Sequence, residues 1–352
     1  MIPSHASRCT SEERAGKRAT IREIAHEVIL SCVAVAALSV GCSGNNSDPT
    51  LDPVNVPVLL KDMSFSVSNQ ERQYHLYLPR DPDSAPIVLL LIGNGGSNDQ
   101  LLGIEGTKAP FKLWLDVARQ ENLILVVPNG SIGSDGRRRW NDCRNDAAAT
   151  PESDDVQYIR ELIEFVRKRY GSSTASVFSL GVSNGGLMTM RLAAEAPEML
   201  DAMAVIVASR PVNSECLEST APIPVLIMNG TDDPILPYGG GRIGSDRGDV
   251  YSTAETVSYW VVRNQTNTSP VVTDIANGNS DDDSTIFRFS YSSGNSNSVV
   301  EHYEVINGGH TEPSIAERYG SLYRLMVGNQ NGDVEMATEI WNFFETRYPS
   351  VL

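Results

Sequence analysis

From Met63 onward, short apolar runs alternate with stretches of helical periodicity. "YHLYLP" opens the series. It is followed by "IVLLLI" (Ile87 to Ile92), "LILVVP" (Leu123 to Pro128), "SVFSLG", "MAVIVA" (Met203 to Ala208), "VLIMNG" (Val225 to Gly230) and "VVEHYEVI" (Val299 to Ile306). A strand with one wet face alternates apolar and polar residues. These runs are mostly continuous, so they predict strands buried on both faces, as in a parallel sheet. Between them, "DDVQYIRELIEFVRKRYG" places Val156, Ile159, Leu162, Ile163 and Val166 on one helix face. Asp154 stands near its start, basic residues fill its last turn and Gly171 ends it. "FKLWLDVARQ" and "VEMATEIWNFFETRY" read the same way. Strands alternating with helices predict a doubly wound α/β domain over residues 61–352. Asn264 to Asn297, rich in Asn, Ser and Asp, is expected to be a hairpin-bearing excursion on the surface. Its "DDD" (Asp281 to Asp283) reads as an acidic turn rather than a calcium site.

The N-terminal segment follows a different pattern. Val28 to Val40 is an apolar run too short to span a bilayer but suited to a signal-peptide core, and Arg14, Lys17, Arg18 and Arg22 precede it. "LSVGCSGNN" follows, a small residue before Cys42, with Ser39 where a lipoprotein signal usually has Leu. The expectation is an exported chain with a leader over residues 1–41, acylated on Cys42. Plain secretion with cleavage nearby is the alternative. Residues 42–60, which begin "CSGNNSDPTLDPVNVP", read as a disordered tether.

The chain has 352 residues and a net charge of −16. That acidity argues against binding a nucleic-acid backbone, which needs clustered Lys and Arg. Of the five cysteines, Cys9 and Cys32 fall in the leader and Cys42 at its end. Cys143 and Cys216 are left as an even pair in an oxidising compartment, which predicts a disulfide. With so few Cys and His and no ligand spacing, no metal site is expected.

The chemistry centres on "VFSLGVSNGGLMTM" (Val177 to Met190). Gly181-Val182-Ser183-Asn184-Gly185 is G-x-S-x-G between a predicted strand and a predicted helix, the context of a nucleophile elbow. The alternative is a glycine-rich β–α turn with an incidental serine. A serine hydroxyl needs a base and an orienting acid to attack at neutral pH. Only His302 and His310 follow Ser183. His302 lies inside a strand pattern, whereas His310 follows Asn307-Gly308-Gly309 in a loop and is the expected base. His75, in an early strand, is expected to be structural. The acid should follow the strand "VLIMNG", where Asp232 and Asp233 compete. The loop Gly93-Asn94-Gly95-Gly96 exposes backbone amides, so the N–H groups of Asn94 and Asn184 are the expected oxyanion donors. Trp140 and Tyr238 are candidates for the aromatic walls of a substrate cleft. Arg137 to Arg139, Arg242 and Arg247 could meet carboxylated substrates, with solvated surface charge as the default.

The ordered motifs "GNGGS", "RRWNDC" followed by "DDVQYIRELI", "GVSNGG", "NGTDDPILPYGGG" with "AETVSYWVVRN", and "NGGHTEP" before "IWNFF" carry a resemblance. From about Tyr74 to Tyr348 the chain resembles the exported α/β-hydrolase esterases of the polyhydroxybutyrate depolymerase-like and feruloyl esterase-like kind. The resemblance implies the α/β-hydrolase fold, with Ser183 as nucleophile, Asp233 rather than Asp232 as acid, and His310 as base. It also implies that Trp140 and Asn141 line the cleft. One departure is that such enzymes usually open the oxyanion loop with His-Gly, where this chain has Ile92-Gly93.

The reading that follows is a serine ester hydrolase without a cofactor, acting on small esters or oligoesters. It touches a membrane only through the lipid on Cys42. Polyester depolymerase, serine peptidase or acyltransferase, and a decayed hydrolase serving as a surface binding module are the alternatives.

Overall fold

The computed structural model describes residues 56–106, 110–171, 174–244 and 246–347. The expected leader, Cys42 and most of the expected tether lie outside the described residues. The fold begins slightly earlier than expected. Strand β1 (Val58–Val67) pairs Val58, Leu59 and Leu60 with Leu78, Tyr77 and Leu76 of β2 (Gln70–Leu78), so the last residues assigned to the tether belong to the sheet.

The remaining strands of the main sheet are β3 (Ile87–Leu91), β4 (Ile124–Pro128), β5 (Val177–Val182), β6 (Ala202–Ile206), β7 (Val225–Gly230), β8 (Val271–Ile275), β9 (Thr285–Tyr291) and β10 (Val300–Ile306). They form a 10-stranded sheet in the order β1-β2-β4-β3-β5-β6-β7-β10-β9-β8. From β4 to β10 neighbouring strands run parallel; the pairs at both ends are antiparallel. The continuous apolar runs follow from this burial. In β3, Ile87, Leu89 and Leu91 enter the core on one side of the sheet, and Val88 and Leu90 enter the core on the other.

Helices cover both faces. Besides a single turn at Asn98–Leu101, they are α1 (Trp114–Gln120), α2 (Asp155–Arg169), α3 (Asn184–Glu195), α4 (Thr253–Asn264), α5 (Ser321–Val327) and α6 (Met336–Glu345). Ile159 of α2, Leu187 of α3 and Trp260 of α4 pack into the first core. Trp114 of α1 and Ile340 and Phe344 of α6 pack into the second. Capping holds the termini: Asp154 accepts from the Gln157 amide at the start of α2, and Ser252 and Glu255 form a capping box on α4.

The segment from Asn264 to Asn297 corrects an expectation. The expected hairpin is there, β8 paired with β9, but it is no excursion, because the pair extends the main sheet through β10, with Ile286 fully buried. The polar residues flanking "TIFRFSY" supply turns, and the alternation within it suits an edge strand with one half-exposed face. The Asp282 carboxylate is buried and occupied, accepting from the Ser284 and Gly332 amides and from Arg318. It is a turn-forming group.

Two packing features yield tests. The expected disulfide is present: Cys143 and Cys216 are bonded across a sequence separation of 73, with Cα atoms 5.5 Å apart. Cross-linking so long a loop restricts the unfolded chain, an effect of up to about 4 kcal/mol. Replacing both cysteines by Ser is therefore expected to shift chemical denaturation to lower denaturant by an amount of that order, and an unchanged midpoint would remove the role. His302, on β10, is buried between the rings of Tyr238 and Phe289, and burial pushes its pKa down to about 4. The folded state thus binds fewer protons than the unfolded state between about pH 6.5 and 4. Stability from this group is present above that window and declines as pH falls through it, by at most about 3 kcal/mol. His302→Phe should flatten the acid limb of the stability profile, as denaturant titrations from pH 7.5 to 4 would read. An identical slope in the variant would rule His302 out as the titrating group.

Candidate active site

Ser183 sits between the end of β5 and the start of α3 with φ 53° and ψ −122°, a backbone conformation costly for a side-chain-bearing residue. The turn is held by close backbone passage. A Cβ at Gly181 would fall 2.0 Å from the Gly185 carbonyl oxygen, and one at Gly185 would fall 2.1 Å from the Leu91 oxygen at the end of β3. Only glycine permits strand, helix and neighbouring strand to approach this closely. The Ser183 amide donates to the Ile206 carbonyl of β6, at 2.9 Å, which ties the turn to the sheet.

His310 and Asp233 come from loops at the carboxyl ends of β10 and β7. Their side chains meet, His310 Nδ1 to Asp233 Oδ2, at 2.6 Å. Asp233 is nearly buried, and its other oxygen accepts from the amides of Ile235 and Leu236 at 2.7 and 2.8 Å. Those bonds aim the carboxylate at the ring. The neighbouring Asp232 is exposed, and its amide donates to Gly308. The loops are packed together backbone to backbone: a Cβ at Gly230 would fall 2.2 Å from the Gly308 oxygen, and the His310 amide donates to Val327 at 2.6 Å.

Ser183 and His310 line one cavity of about 430 Å³, shared with Ile92, Gly93, Asn94, Phe111, Tyr319 and Tyr323 among others. A Cβ at Gly93 would lie 3.2 Å from Ser183 Cβ, so the glycine-rich loop passes directly over the serine. Asn184 is the first residue of α3, where backbone N–H groups have no partner within the helix.

The residues expected to line the cleft are placed otherwise. Trp140 is buried: its indole N–H donates to the Ile92 carbonyl at 2.9 Å and its amide to Asn184 Oδ1 at 2.8 Å. An indole needs a partner for its N–H, and this one braces the glycine-rich loop from behind. Asn141 points away, donating to the Ser153 carbonyl, with its amide on Asp155 Oδ2. Tyr238 bonds Glu304 and lines a separate cavity of about 280 Å³ with His302 and Phe289. The same brace continues outward. Asn184 Nδ2 donates to Asp142 Oδ2, Asp142 pairs with Arg144, and Cys143 between them carries the disulfide.

Glu312, Tyr319 and Tyr323 were not singled out from the sequence. Glu312 is buried in the cavity wall, its carboxyl accepting from the Tyr319 hydroxyl at 2.7 Å, and burial pushes its pKa up. Its place two residues beyond His310 was the available signal. Tyr319 precedes α5 and Tyr323 lies within it, and their ring centroids lie 4.8 Å apart, a pairing that no sequence periodicity marks. His75 is structural as expected: Nδ1 accepts from the Asp62 amide, and Nε2 meets Asp99 at 2.9 Å. With both ring nitrogens engaged, the cluster Asp62, His75 and Asp99 offers no imidazole lone pair to a metal. The cluster Cys143, Glu195 and Cys216 has its sulfurs in the disulfide. These are the acidic and thiol clusters of metal-site size among the described residues.

No protein-family model matches the chain. A protein named "Probable feruloyl esterase C" from Aspergillus flavus is 31% identical over 49% of this chain and 58% of its own length. "Feruloyl esterase B" of Thermothelomyces thermophilus is 26% identical over 38% of this chain and 43% of its own. The chain spans about half the length of the curated relatives it matches. Among solved structures, an acetyl xylan esterase from Aspergillus awamori superposes with a TM-score of 0.50 at 15% identity, covering 76% of this chain and 98% of that one. The likeness shows the fold, that of the α/β hydrolases.

The two aspartates separate cleanly in this geometry. Asp233→Asn should impair turnover of any substrate by about 10³- to 10⁴-fold, because an amide cannot hold the same imidazole tautomer. Asp232→Asn should stay within a few-fold of the parent. Steady-state kinetics on both variants would settle the assignment, and the reverse ranking would exchange the roles.

Proposed function

As a member of the esterase family of α/β hydrolases, the chain is, we propose, a serine carboxylic-ester hydrolase of the feruloyl-type or small-ester kind. The observation that carries this reading is the positive-φ backbone of Ser183 on the same cavity as His310, whose ring is bonded to Asp233 behind it. Strain of this kind persists only where the surroundings over-determine it, and here the glycine contacts do so.

In the proposed reaction Asp233 accepts from Nδ1–H of His310, which leaves Nε2 as the basic nitrogen. Nε2 takes the proton of Ser183 as Oγ attacks the ester carbonyl carbon. The amide N–H groups of Asn94 and Asn184 stabilise the oxygen as it becomes negative. His310 then delivers the proton to the leaving alcohol, and an acyl group remains on Ser183. Water, deprotonated by the same nitrogen, adds to that acyl group, and its collapse frees the acid and restores the serine. None of these steps requires a cofactor. Ile92 stands where a histidine would open the oxyanion loop; the Gly95 and Gly96 amides of that loop donate to the Arg138 and Gly93 carbonyls, and the Asn94 amide is the proposed donor.

The cavity of about 430 Å³ suits a small or aromatic acyl group, with Phe111, Tyr319 and Tyr323 as its apolar walls. We assign the catalytic domain to residues 61–352, extended at its start by β1, behind a leader (1–41) and a tether (42–60). The disulfide favours an oxidising, extracytoplasmic compartment, and acylation of Cys42 would hold the domain at a membrane surface.

Ser183→Ala is expected to lower kcat by about 10⁴- to 10⁶-fold on every ester tested, with the thermal melt retained. The assay is a panel of p-nitrophenyl esters, methyl ferulate and hydroxybutyrate oligomers. Comparable turnover by the variant would remove the mechanism, and selective cleavage of an amide panel would replace esterase by peptidase.

A further inference from the structure

We infer that Arg247 is a substrate-recognition residue and that the ester processed at Ser183 carries a free carboxylate. This inference rests on the esterase reading above and narrows its substrate class.

Arg247 lines the large cavity and also the small cleft beside it, and Ser183 and Asn94 are the residues that share both with it, together with Ile235. It therefore stands beside the reacting centre. The small cleft carries two further arginines, and each is already matched. Arg144 makes a two-pronged pair with Asp142, through Nε at 2.9 Å and Nη2 at 2.8 Å. Arg139 is paired with Asp135. Arg247 has no carboxylate partner among the described residues. The acids nearest in the fold are engaged elsewhere. Asp146 accepts on Oδ2 from Asn213 and the Asp249 amide. Its Oδ1 has no hydrogen-bond partner among the described residues but faces the Gly248 backbone and makes no ion pair with Arg247, and Asp249 pairs with Arg242. Glu312, in the large cavity, is bonded to Tyr319, and burial pushes its pKa up, which favours its neutral form. Glu105 lies on the exposed rim.

Arg247 is thus a part-buried cation beside other cations. Its burial, followed by the charges of Arg144, Arg139 and Arg137, pushes its pKa down, though an arginine stays charged. A part-buried guanidinium without a counter-ion is costly, and the expense is relieved when an anion arrives. Its planar fork matches a carboxylate in a two-bond arrangement. A neutral ester leaves the fork unmatched, so the site is built to prefer the charged one. The carboxylate can belong to the acyl part, as in a half-ester of a dicarboxylic acid, or to the alcohol part, as in an acylated hydroxy acid.

The test uses the full chain and two matched substrate pairs followed by pH-stat. Monoethyl adipate against ethyl hexanoate places the charge on the acyl side. 3-Butyryloxybutanoate against its primary amide places it on the alcohol side. The wild type should favour the charged member of at least one pair in kcat/KM, and the preference should shrink as salt rises. Arg247→Gln should lower that charged-to-neutral ratio by about 10- to 100-fold, mainly through KM, and Arg247→Lys should restore part of it. Arg242→Gln, an exposed arginine five residues earlier that pairs with Asp249 and lines neither cavity, should leave the ratio alone. The salt dependence of the wild-type ratio reads the same charge even if a variant fails to fold. A ratio near one that salt does not alter, or an Arg247→Gln variant that slows charged and neutral esters equally, would overturn the inference while the esterase reading stands. Failure of the wild type to hydrolyse any of the four esters would overturn that reading and this inference with it.

Discussion

The structure turns on the closeness of three backbone segments at one point. The end of β5, the first turn of α3 and the end of β3 meet where Gly185 passes the Leu91 carbonyl and Gly181 passes Gly185. A methyl group at either glycine would force them apart. Because they pass so closely, Ser183 is carried on a turn with positive φ, its hydroxyl presented at the carboxyl edge of the sheet instead of folded into the helix. The same closeness lays the Gly93 loop over the serine. The geometry of the proposed nucleophile and that of the proposed oxyanion loop are consequences of one packing event, so a change to either glycine would disturb both.

A second layer of contacts keeps that arrangement from relaxing. Asn184, the first helical residue after the serine, uses its side chain to grip the Trp140 to Asp142 segment. Trp140 in turn holds the Ile92 carbonyl from behind. Arg72 reinforces the segment from β2, pairing with buried Asp155 at 2.7 Å and lying 4.2 Å over the Tyr158 ring. Asp155 also accepts from the Asn141 amide. The disulfide at Cys143 ties the far end to the loop after β6. The motif "RRWNDC" thus serves to position the glycine-rich loop, and the cavity walls come from other segments, Phe111 before it and Tyr319 and Tyr323 after it. Its polar residues stiffen a loop that has little regular structure of its own.

How much of this was legible follows from what each signal encodes. Unbroken apolar runs encode burial on both faces, and the central strands stand where those runs predicted. G-x-S-x-G encodes a close passage, and the glycine contacts account for it. The loops that carry His310 and the Asp232-Asp233 pair could be anticipated because the fold brings loops at strand ends to one edge, while the choice of Asp233 over Asp232 came only from the resemblance. Side-chain direction is another matter. Trp140 and Tyr238 lie in loops near the site, yet one braces from behind and the other faces a separate cavity. Nothing in a linear sequence distinguishes a tryptophan that lines a cleft from one that supports it. Arg247 was read as solvated charge by default, and only the pairing of its neighbours with Asp142 and Asp135 marks it out. The segment after Asn264 misled for a physical reason. Edge strands with one exposed face tolerate polar residues, so its composition resembled loop more than sheet.

The central claim is that Ser183 is the residue that becomes acylated, and covalent trapping tests it most directly. The full chain, treated with an activated organophosphate such as diethyl p-nitrophenyl phosphate, should take up one diethylphosphoryl group and lose esterase activity in step. Peptide mapping by mass spectrometry should place that group on the fragment containing Gly181 to Gly186. Esterase activity that survives full modification of Ser183, or a stoichiometric adduct on another residue, would contradict the account.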